Sequence, residues 1–213
     1  HDRNERQDRS ILHWQDAVTG QIDRLLGYPT VAAAKQNSDK LVKMRVEAAL
    51  QEPGDWESFL KPDAEFVLTF PDVEAAFVKD HYARATSILE YGSGGSTVLA
   101  AQNGARVVAV ESDLDWATRL SRSLLAISGK AHIHHVNIGP TKEWGFPKAA
   151  DLHERFHRYA LSVWDRPDLG DPDLVLIDGR FRAACLVAVM LRARRPTTVL
   201  FDDYTERKYY HAV

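Results

Sequence analysis

The chain carries a glycine-rich turn at residues 90–97, which reads EYGSGGST. The apolar run 86–89 before the turn predicts a buried strand, and residues 98–101 after it predict the start of a helix. Because glycine has no Cβ, such a turn lets a ligand approach the backbone N–H groups closely. Turns of this kind hold the nucleotide part of a cofactor in doubly wound α/β folds.

Strands and helices alternate along the rest of this region. Strands are predicted at residues 86–91, 106–111, 131–138, 173–178 and 197–203. Helices are predicted at 96–102, from an Asp113 cap onward, at 152–164 and at 182–194. The strands are continuously apolar, which is typical of a parallel sheet covered on both faces. The predicted fold class is therefore α/β, with a doubly wound, mostly parallel sheet.

The front of the chain is predicted to be a helical extension of unknown role, at residues 1–60, before a domain at residues 61–213. Apolar residues recur at helical spacing after Ser10 and again after Ser38 or Asp39. We also expect a trimmed chain, because the sequence begins at His1 without Met and stops at Val213 within a helical pattern.

Composition excludes several classes of protein. A formal net charge of −3 gives no broad attraction to nucleic acid or to an anionic membrane. The single cysteine, Cys185, excludes an intrachain disulfide and a multi-cysteine zinc site. No apolar run approaches the roughly 20 residues that span a bilayer, and no signal-peptide pattern is present. We expect a cytoplasmic protein that acts on a small molecule, with a homodimer as an open alternative to a monomer.

The turn alone does not identify the cofactor. A mononucleotide P-loop needs a lysine after the glycines, and none follows here. A dinucleotide fingerprint places its third glycine where this chain has Thr97. S-adenosylmethionine, which has no pyrophosphate, suits this turn better. Glu111 ends the second strand, 19 residues after Gly92, where a carboxylate accepts ribose hydroxyls; it supports any adenosine cofactor unless it is only a surface acid.

Four motifs together resemble a class I S-adenosylmethionine-dependent methyltransferase: 90–95 (EYGSGG), 110–113 (VESD), 177–180 (IDGR) and 201–204 (FDDY). More narrowly, residues 138–141 (IGPT), 144–145 (WG), 177–182 (IDGRFR) and 202–204 (DDY) resemble uncharacterised bacterial methyltransferase-like proteins. The chain is more distantly similar to cation-dependent O-methyltransferases that act on catechol-like hydroxyls. The resemblance covers about residues 66–213 and does not extend to the front of the chain.

The resemblance implies a Rossmann-like methyltransferase fold that binds S-adenosylmethionine. Glu90 would orient the methionine end of the cofactor, Glu111 would bind the ribose hydroxyls, and Asn137 would lie near the adenine amino edge. The residues expected to line the methionine and ribose portion are Gly92, Gly94 and Gly95. Such relatives have strand order 3-2-1-4-5-7-6, and the last two strands are missing from this sequence. Either the chain is truncated, or it leaves the fifth strand at an uncovered edge.

A second group of polar residues is acidic. Asp178, Asp202 and Asp203 follow two strands expected to be neighbours, at the edge where open α/β sheets bind ligands. Three adjacent carboxylates repel one another unless they are protonated or neutralised by a cation such as Mg²⁺ or Mn²⁺. In the cation-dependent relatives, an aspartate and an Asp-Asn pair hold the metal at these places, and Asp203 here replaces the asparagine. The trio is therefore a predicted metal site.

The same residues have alternative roles. Asp178 could cap the next helix, and Asp202 or Asp203 could pair with Arg180 or Arg182. Without a metal, Asp178 or Asp203 could serve as a general base, or the enzyme could rely on proximity alone. Arg180 is a third candidate catalytic residue, which would clamp an anionic substrate or form an internal salt bridge.

The predicted function is S-adenosylmethionine-dependent methyl transfer to an oxygen of a small molecule. Trp144, Phe146 and Trp164 would wall the substrate pocket or simply cover the sheet. Two other functions stay open. One is a non-catalytic methyltransferase-like module that binds a partner, and the other is an NAD-dependent enzyme, which Thr97 disfavours.

Overall fold

The computed structural model of the chain describes residues 43–45, 66–125, 127 and 130–213. The strands are β1 (Ser87–Tyr91), β2 (Arg106–Glu111), β3 (Ala131–His135), β4 (Thr141–Lys142), β5 (Phe146–Pro147), β6 (Leu174–Ile177) and β7 (Thr198–Phe201). The helices are α1 (Asp72–Arg84), α2 (Gly95–Gln102), α3 (Leu114–Leu125), α4 (His157–Leu161) and α5 (Arg182–Arg192).

Five strands form the central sheet, in the order β3-β2-β1-β6-β7. Every neighbouring pair is parallel, and Leu89 at the centre pairs with Val108 on one side and Val175 on the other. This is the predicted order for the first five strands. Among the described residues, no strand pairs with the outer edge of β7.

Helices cover both faces of this sheet. On one face, buried strand residues such as Val107 and Leu174 pack with Val78 and Tyr82 of α1 and with Ala100 of α2. The other face carries a larger apolar cluster in which strand residues pack against α4 and α5. The alternation of strand and helix therefore produces the doubly wound sheet predicted from the sequence.

The predicted helix at 152–164 is broken into three pieces. Short 3₁₀ segments, His153–Arg155 and Ser162–Asp165, flank the single regular stretch α4. The Tyr91 hydroxyl donates to the Ala160 carbonyl (2.6 Å) and accepts a hydrogen bond from the Trp164 indole (2.7 Å). These bonds to β1 take the place of regular helical pairing where α4 ends.

Several predictions concern residues that the structure does not describe. The helices expected after Ser10 and Ser38, and the boundary near residue 60, lie outside the described residues, except that residues 43–45 are helical. None of the helices in the described ranges has the length and apolar character that a membrane span requires.

Candidate functional site

The carboxyl ends of the parallel strands meet at one edge of the sheet. β1 ends at Tyr91 before the glycine turn, β2 ends at Glu111, and β6 ends at Ile177 before Asp178. Open α/β sheets bind ligands in the crevice outside this edge. The structure therefore brings the glycine turn, Glu111 and the acidic trio to one side of the molecule.

The glycine turn begins where two strands approach each other closely. Gly92 has a φ of +100°, and its N–H donates to the Val110 carbonyl (3.0 Å). A Cβ added at Gly92 would lie 2.9 Å from the backbone nitrogen of Gly179, and one added at Gly95 would lie 2.2 Å from the backbone of Val67. Both the left-handed conformation and the close contacts require glycine here.

Glu90 supports this turn from inside the protein. Its fully buried carboxylate accepts hydrogen bonds from the Tyr82 hydroxyl (2.6 Å) and from the Thr97 hydroxyl. Thr97 in turn accepts a hydrogen bond from the Gly94 N–H (3.0 Å). Burial raises the pKa of Glu90 to about 7, against the opposing effect of these hydrogen bonds. Glu90 thus acts on the turn through Thr97, and its orientation of a cofactor stays a prediction.

Glu111 is held in place by donors from the adjoining chain. Its Oε1 accepts hydrogen bonds from the backbone N–H groups of Ser112 (2.6 Å) and Asp113 (2.9 Å). Its Oε2 accepts one from the Ser93 hydroxyl (3.0 Å). Burial raises the pKa of Glu111, and the hydrogen bonds oppose that shift. A carboxylate has about four acceptor positions, so Oε2 retains capacity for the hydroxyl of a ligand such as ribose.

A small hairpin made by β4 and β5 lies beside Glu111, and the sequence did not predict it. Ser112 Oγ donates to the Gly145 carbonyl (3.1 Å), and Thr141 Oγ1 donates to Asp113 Oδ2 (2.7 Å). A Cβ added at Gly145 would lie 3.3 Å from Glu111 Oε1. The available signal was the pair of turn dipeptides Gly-Pro and Trp-Gly in residues 139–145.

Asn137 lies beyond the end of β3, which stops at His135 instead of residue 138. Its exposed side chain accepts a hydrogen bond from the Gly139 N–H (2.9 Å). This bond stabilises the turn that leads into the hairpin. The predicted contact of Asn137 with adenine stays a prediction.

The acidic trio surrounds an arginine. The Arg182 guanidinium lies 2.8 Å from carboxylate oxygens of Asp178, Asp202 and Asp203, and its side chain is only 5% exposed. Arg207 pairs with Asp203 as well (2.7 Å). Within the described ranges, no group of three His, Cys, Asp or Glu residues is arranged to hold a metal ion.

The donor set therefore does not fit the predicted divalent cation. The trio already has its positive charge in Arg182, which was one of the alternatives in the sequence, and adding a metal would require that guanidinium to leave. Burial and the neighbouring Asp202 carboxylate raise the pKa of Asp178, although Arg182 opposes the shift. Asp178 is thus suited to take up a proton near neutral pH.

Arg180 does not join this cluster. Its guanidinium carbon lies 3.9 Å from the centre of the Phe146 ring, and its Nε is buried without a hydrogen-bond partner. The internal salt bridge proposed for Arg180 is thus made by Arg182 instead. Of the three predicted aromatic residues, Trp144 and Phe146 lie on or beside the hairpin, whereas Trp164 packs against the sheet.

The structure is similar to solved methyltransferase structures. A methyltransferase-like protein from Silicibacter pomeroyi DSS-3 is 42% identical, with a TM-score of 0.62, over 72% of this chain and 79% of that chain. The S-adenosylhomocysteine-bound methyltransferase PaMTH1 of Podospora anserina is 14% identical, with a TM-score of 0.45, over 92% of this chain and 72% of that chain. No protein-family model and no curated protein matches the chain.

Proposed function

The chain belongs to the class I S-adenosylmethionine-dependent methyltransferases, and we propose that it transfers the methyl group to an oxygen of a small molecule. The observation that carries this proposal is the carboxylate of Asp178, whose pKa is raised beside the glycine turn. Oxygen nucleophiles must lose a proton as they are methylated, and a base with a pKa near the working pH accelerates that step.

The cofactor site in this proposal is the crevice between the glycine turn and Glu111. Gly92, Gly94 and Gly95 shape the turn that lines the methionine and ribose portion, with open space beside Gly94, and Glu111 accepts the ribose hydroxyls. Asn137 contacts the adenine edge. When bound, S-adenosylmethionine supplies an electrophilic methyl group on its sulfonium sulfur.

Asp178 is the proton acceptor in this proposal. Arg182 holds one of its oxygens at 2.8 Å and fixes the carboxylate next to Gly179, which packs on Gly92. Asp203 is the poorer choice of base, because both Arg182 and Arg207 pair with it. No step passes through a divalent cation, since the trio and Arg182 do not fit one.

The acceptor is a small molecule in the cytoplasm, in keeping with the formal net charge of −3, which does not favour nucleic acid or an anionic membrane. A homodimer stays a prediction.

The test is transfer of tritiated methyl from S-adenosylmethionine to a panel of hydroxylated small molecules, with Asp178→Asn compared with the unmodified protein. We expect an O-methyl product, and a loss of kcat of about 100-fold or more in Asp178→Asn, the ordinary effect of removing a general base. The affinity for S-adenosylhomocysteine should not change. Methylation only at nitrogen or carbon, or a variant with undiminished kcat, would contradict the proposal.

A further inference from the structure

Arg180 has no ion pair within the described part of the chain, although the nearby Asp178 carboxylate favours its charged form. Among the described residues, its side chain forms no ion pair or hydrogen bond, and its Nε is buried. Burial also lowers the pKa of Arg180. The side chain as a whole is only half-buried, so an arriving acceptor would pair with the other guanidinium N–H groups and not with the buried Nε.

The surroundings of Arg180 hold it in a defined direction. Its guanidinium carbon lies over the Phe146 ring, 3.9 Å from the ring centre. An arginine stacked on an aromatic ring keeps the N–H groups at its rim available for a planar acceptor, and a carboxylate is the acceptor that matches this fork with two parallel bonds.

Arg180 and Phe146 both adjoin the proposed cofactor crevice. Arg180 follows Gly179, which packs on Gly92, and the Arg180 N–H approaches the Tyr159 hydroxyl (3.4 Å). Phe146 follows Gly145, whose carbonyl binds Ser112 beside Glu111. The pair therefore bridges the end of β6 and the hairpin, next to the place where an acceptor must lie.

We propose that Arg180 and Phe146 form the acceptor subsite, and that the methyl acceptor is a hydroxylated aromatic carboxylate. Arg180 binds the carboxylate, and the ring lies along the apolar surface of the hairpin, where Phe146 is 44% and Trp144 is 79% exposed. This inference rests on the proposed methyltransferase function, because it assigns the substrate class of that same site.

Two ligands could supply the carboxylate that Arg180 binds: the methyl acceptor, or the methionine part of the cofactor. Methylthioadenosine has the adenosine and sulfur of the cofactor but no carboxylate, so it distinguishes the two sources. If Arg180 binds the cofactor, Arg180→Gln weakens binding of S-adenosylhomocysteine and leaves methylthioadenosine unaffected, which would overturn the proposal.

The main experiment is calorimetric titration of the full chain with ortho-, meta- and para-hydroxybenzoate, with and without saturating S-adenosylhomocysteine. The matching hydroxybenzamides, which are neutral, serve as ligand controls. We expect at least one hydroxybenzoate to bind and its amide not to bind. Arg180→Gln should weaken that binding by about tenfold or more, the usual effect of losing a charge-assisted hydrogen-bond pair.

The matched control is Arg195→Gln, an exposed arginine whose partner, Asp171, is 3.4 Å away. It should bind the hydroxybenzoate as the unmodified chain does. Phe146→Leu should weaken binding severalfold, because it removes the stacking ring but keeps an apolar side chain. Absence of hydroxybenzoate binding, equal binding of the amide, or unchanged affinity in Arg180→Gln would each overturn the subsite.

The experiments distinguish failure of the methyl-transfer function from failure of the carboxylate subsite. If the chain does not bind S-adenosylhomocysteine but still binds a hydroxybenzoate through Arg180, the methyl-transfer function fails and the carboxylate site stands. If S-adenosylhomocysteine binds and no hydroxybenzoate does, the function stands and the substrate class is wrong.

Discussion

Gly92 and Gly94 lie two residues apart in the same turn but lack a side chain for different reasons. Gly92 has a φ of +100° and a backbone neighbour 2.9 Å from any added Cβ, whereas a Cβ on Gly94 would meet only the Trp116 ring at 3.8 Å. We expect Gly92→Ala to lower the free energy of unfolding by about 2 kcal/mol or more, from left-handed strain plus the clash.

The paired variant Gly94→Ala should change that free energy by less than about 1 kcal/mol, since its backbone is extended and the space is open. Any loss of S-adenosylhomocysteine affinity in Gly94→Ala would then come from the filled crevice. Urea denaturation and calorimetry measure the two quantities, and a Gly92→Ala protein as stable as the original would refute this account of the turn.

Glu90 predicts a particular pH dependence of stability. Burial raises its pKa in the folded protein from 4.5 to about 7, so the folded state binds this proton more tightly than the unfolded state does. Its stabilising contribution is therefore complete below about pH 4.5 and is lost as the pH rises through 7.

Glu90→Gln replaces the carboxyl group with an amide that does not titrate, so the variant does not lose stability in this way as the pH rises. The melting temperature of the original protein, minus that of Glu90→Gln, should fall steadily between about pH 5 and pH 8. Thermal melts of both proteins in a buffer series measure the difference. A difference that stays constant over this range would show that Glu90 is ionised throughout.

Two side-chain bonds join the hairpin of β4 and β5 to the turn after β2: one from Thr141 to Asp113 (2.7 Å) and one from Ser112 to the Gly145 carbonyl (3.1 Å). Thr141→Val keeps the shape of the side chain and removes the first of these bonds, so the hairpin should open more often. We expect faster trypsin cleavage after Lys142 and Lys148, with little change in global stability.

Thr118→Val is the matched control, because the Thr118 hydroxyl also donates a 2.7 Å bond, to the Leu114 carbonyl within α3. It should leave cleavage at the two hairpin lysines unchanged. Equal cleavage rates in Thr141→Val and the unmodified protein would mean that other contacts hold the hairpin.

How well a strand or helix could be predicted from the sequence depended on its length and on whether distant residues bond to it. The five sheet strands carry apolar runs that local patterns reveal, and their order followed from the resemblance. The hairpin strands have two residues each, too few for any periodicity. The helix at 152–164 was broken by bonds from Tyr91, some 70 residues earlier in the chain, and no local pattern contains such bonds.

Arg182 joins three parts of the fold: the end of β6, helix α5 and the residues after β7. It is buried among three carboxyl groups, of which Asp178 takes up a proton near neutral pH, so removing its charge leaves the ionised groups to repel one another. Arg182→Met should destabilise the protein by about 3 kcal/mol at neutral pH, the low end for a broken buried pair because the aspartates are partly exposed.

The control is Arg207→Met. Arg207 is 40% exposed, and its ion pair is with the partly exposed Asp203, so its loss should cost less than about 1 kcal/mol. The cost of Arg182→Met should also shrink in acid, where protonation removes the repulsion. An Arg182→Met protein that is as stable as Arg207→Met in denaturant titrations would contradict the neutralising role of Arg182.

The parts of the candidate site that come from one short segment of sequence were predictable. The glycine turn and Glu111 belong to local motifs, and the structure places them at one edge of the sheet. The partner of the acidic trio was not predictable in the same way. Which of Arg180 and Arg182 reaches the carboxylates depends on how α5 begins after Phe181, which has a φ of 54°.

The central claim is that this fold binds S-adenosylmethionine through the glycine turn and Glu111. The most direct test is calorimetric titration of the full chain with S-adenosylhomocysteine, with NAD⁺ in parallel and Glu111→Ala as the variant. We predict saturable binding of S-adenosylhomocysteine alone, weakened by roughly 1–3 kcal/mol in Glu111→Ala through loss of a charged acceptor. Binding of NAD⁺ instead, binding of neither, or an unaffected variant would contradict the account.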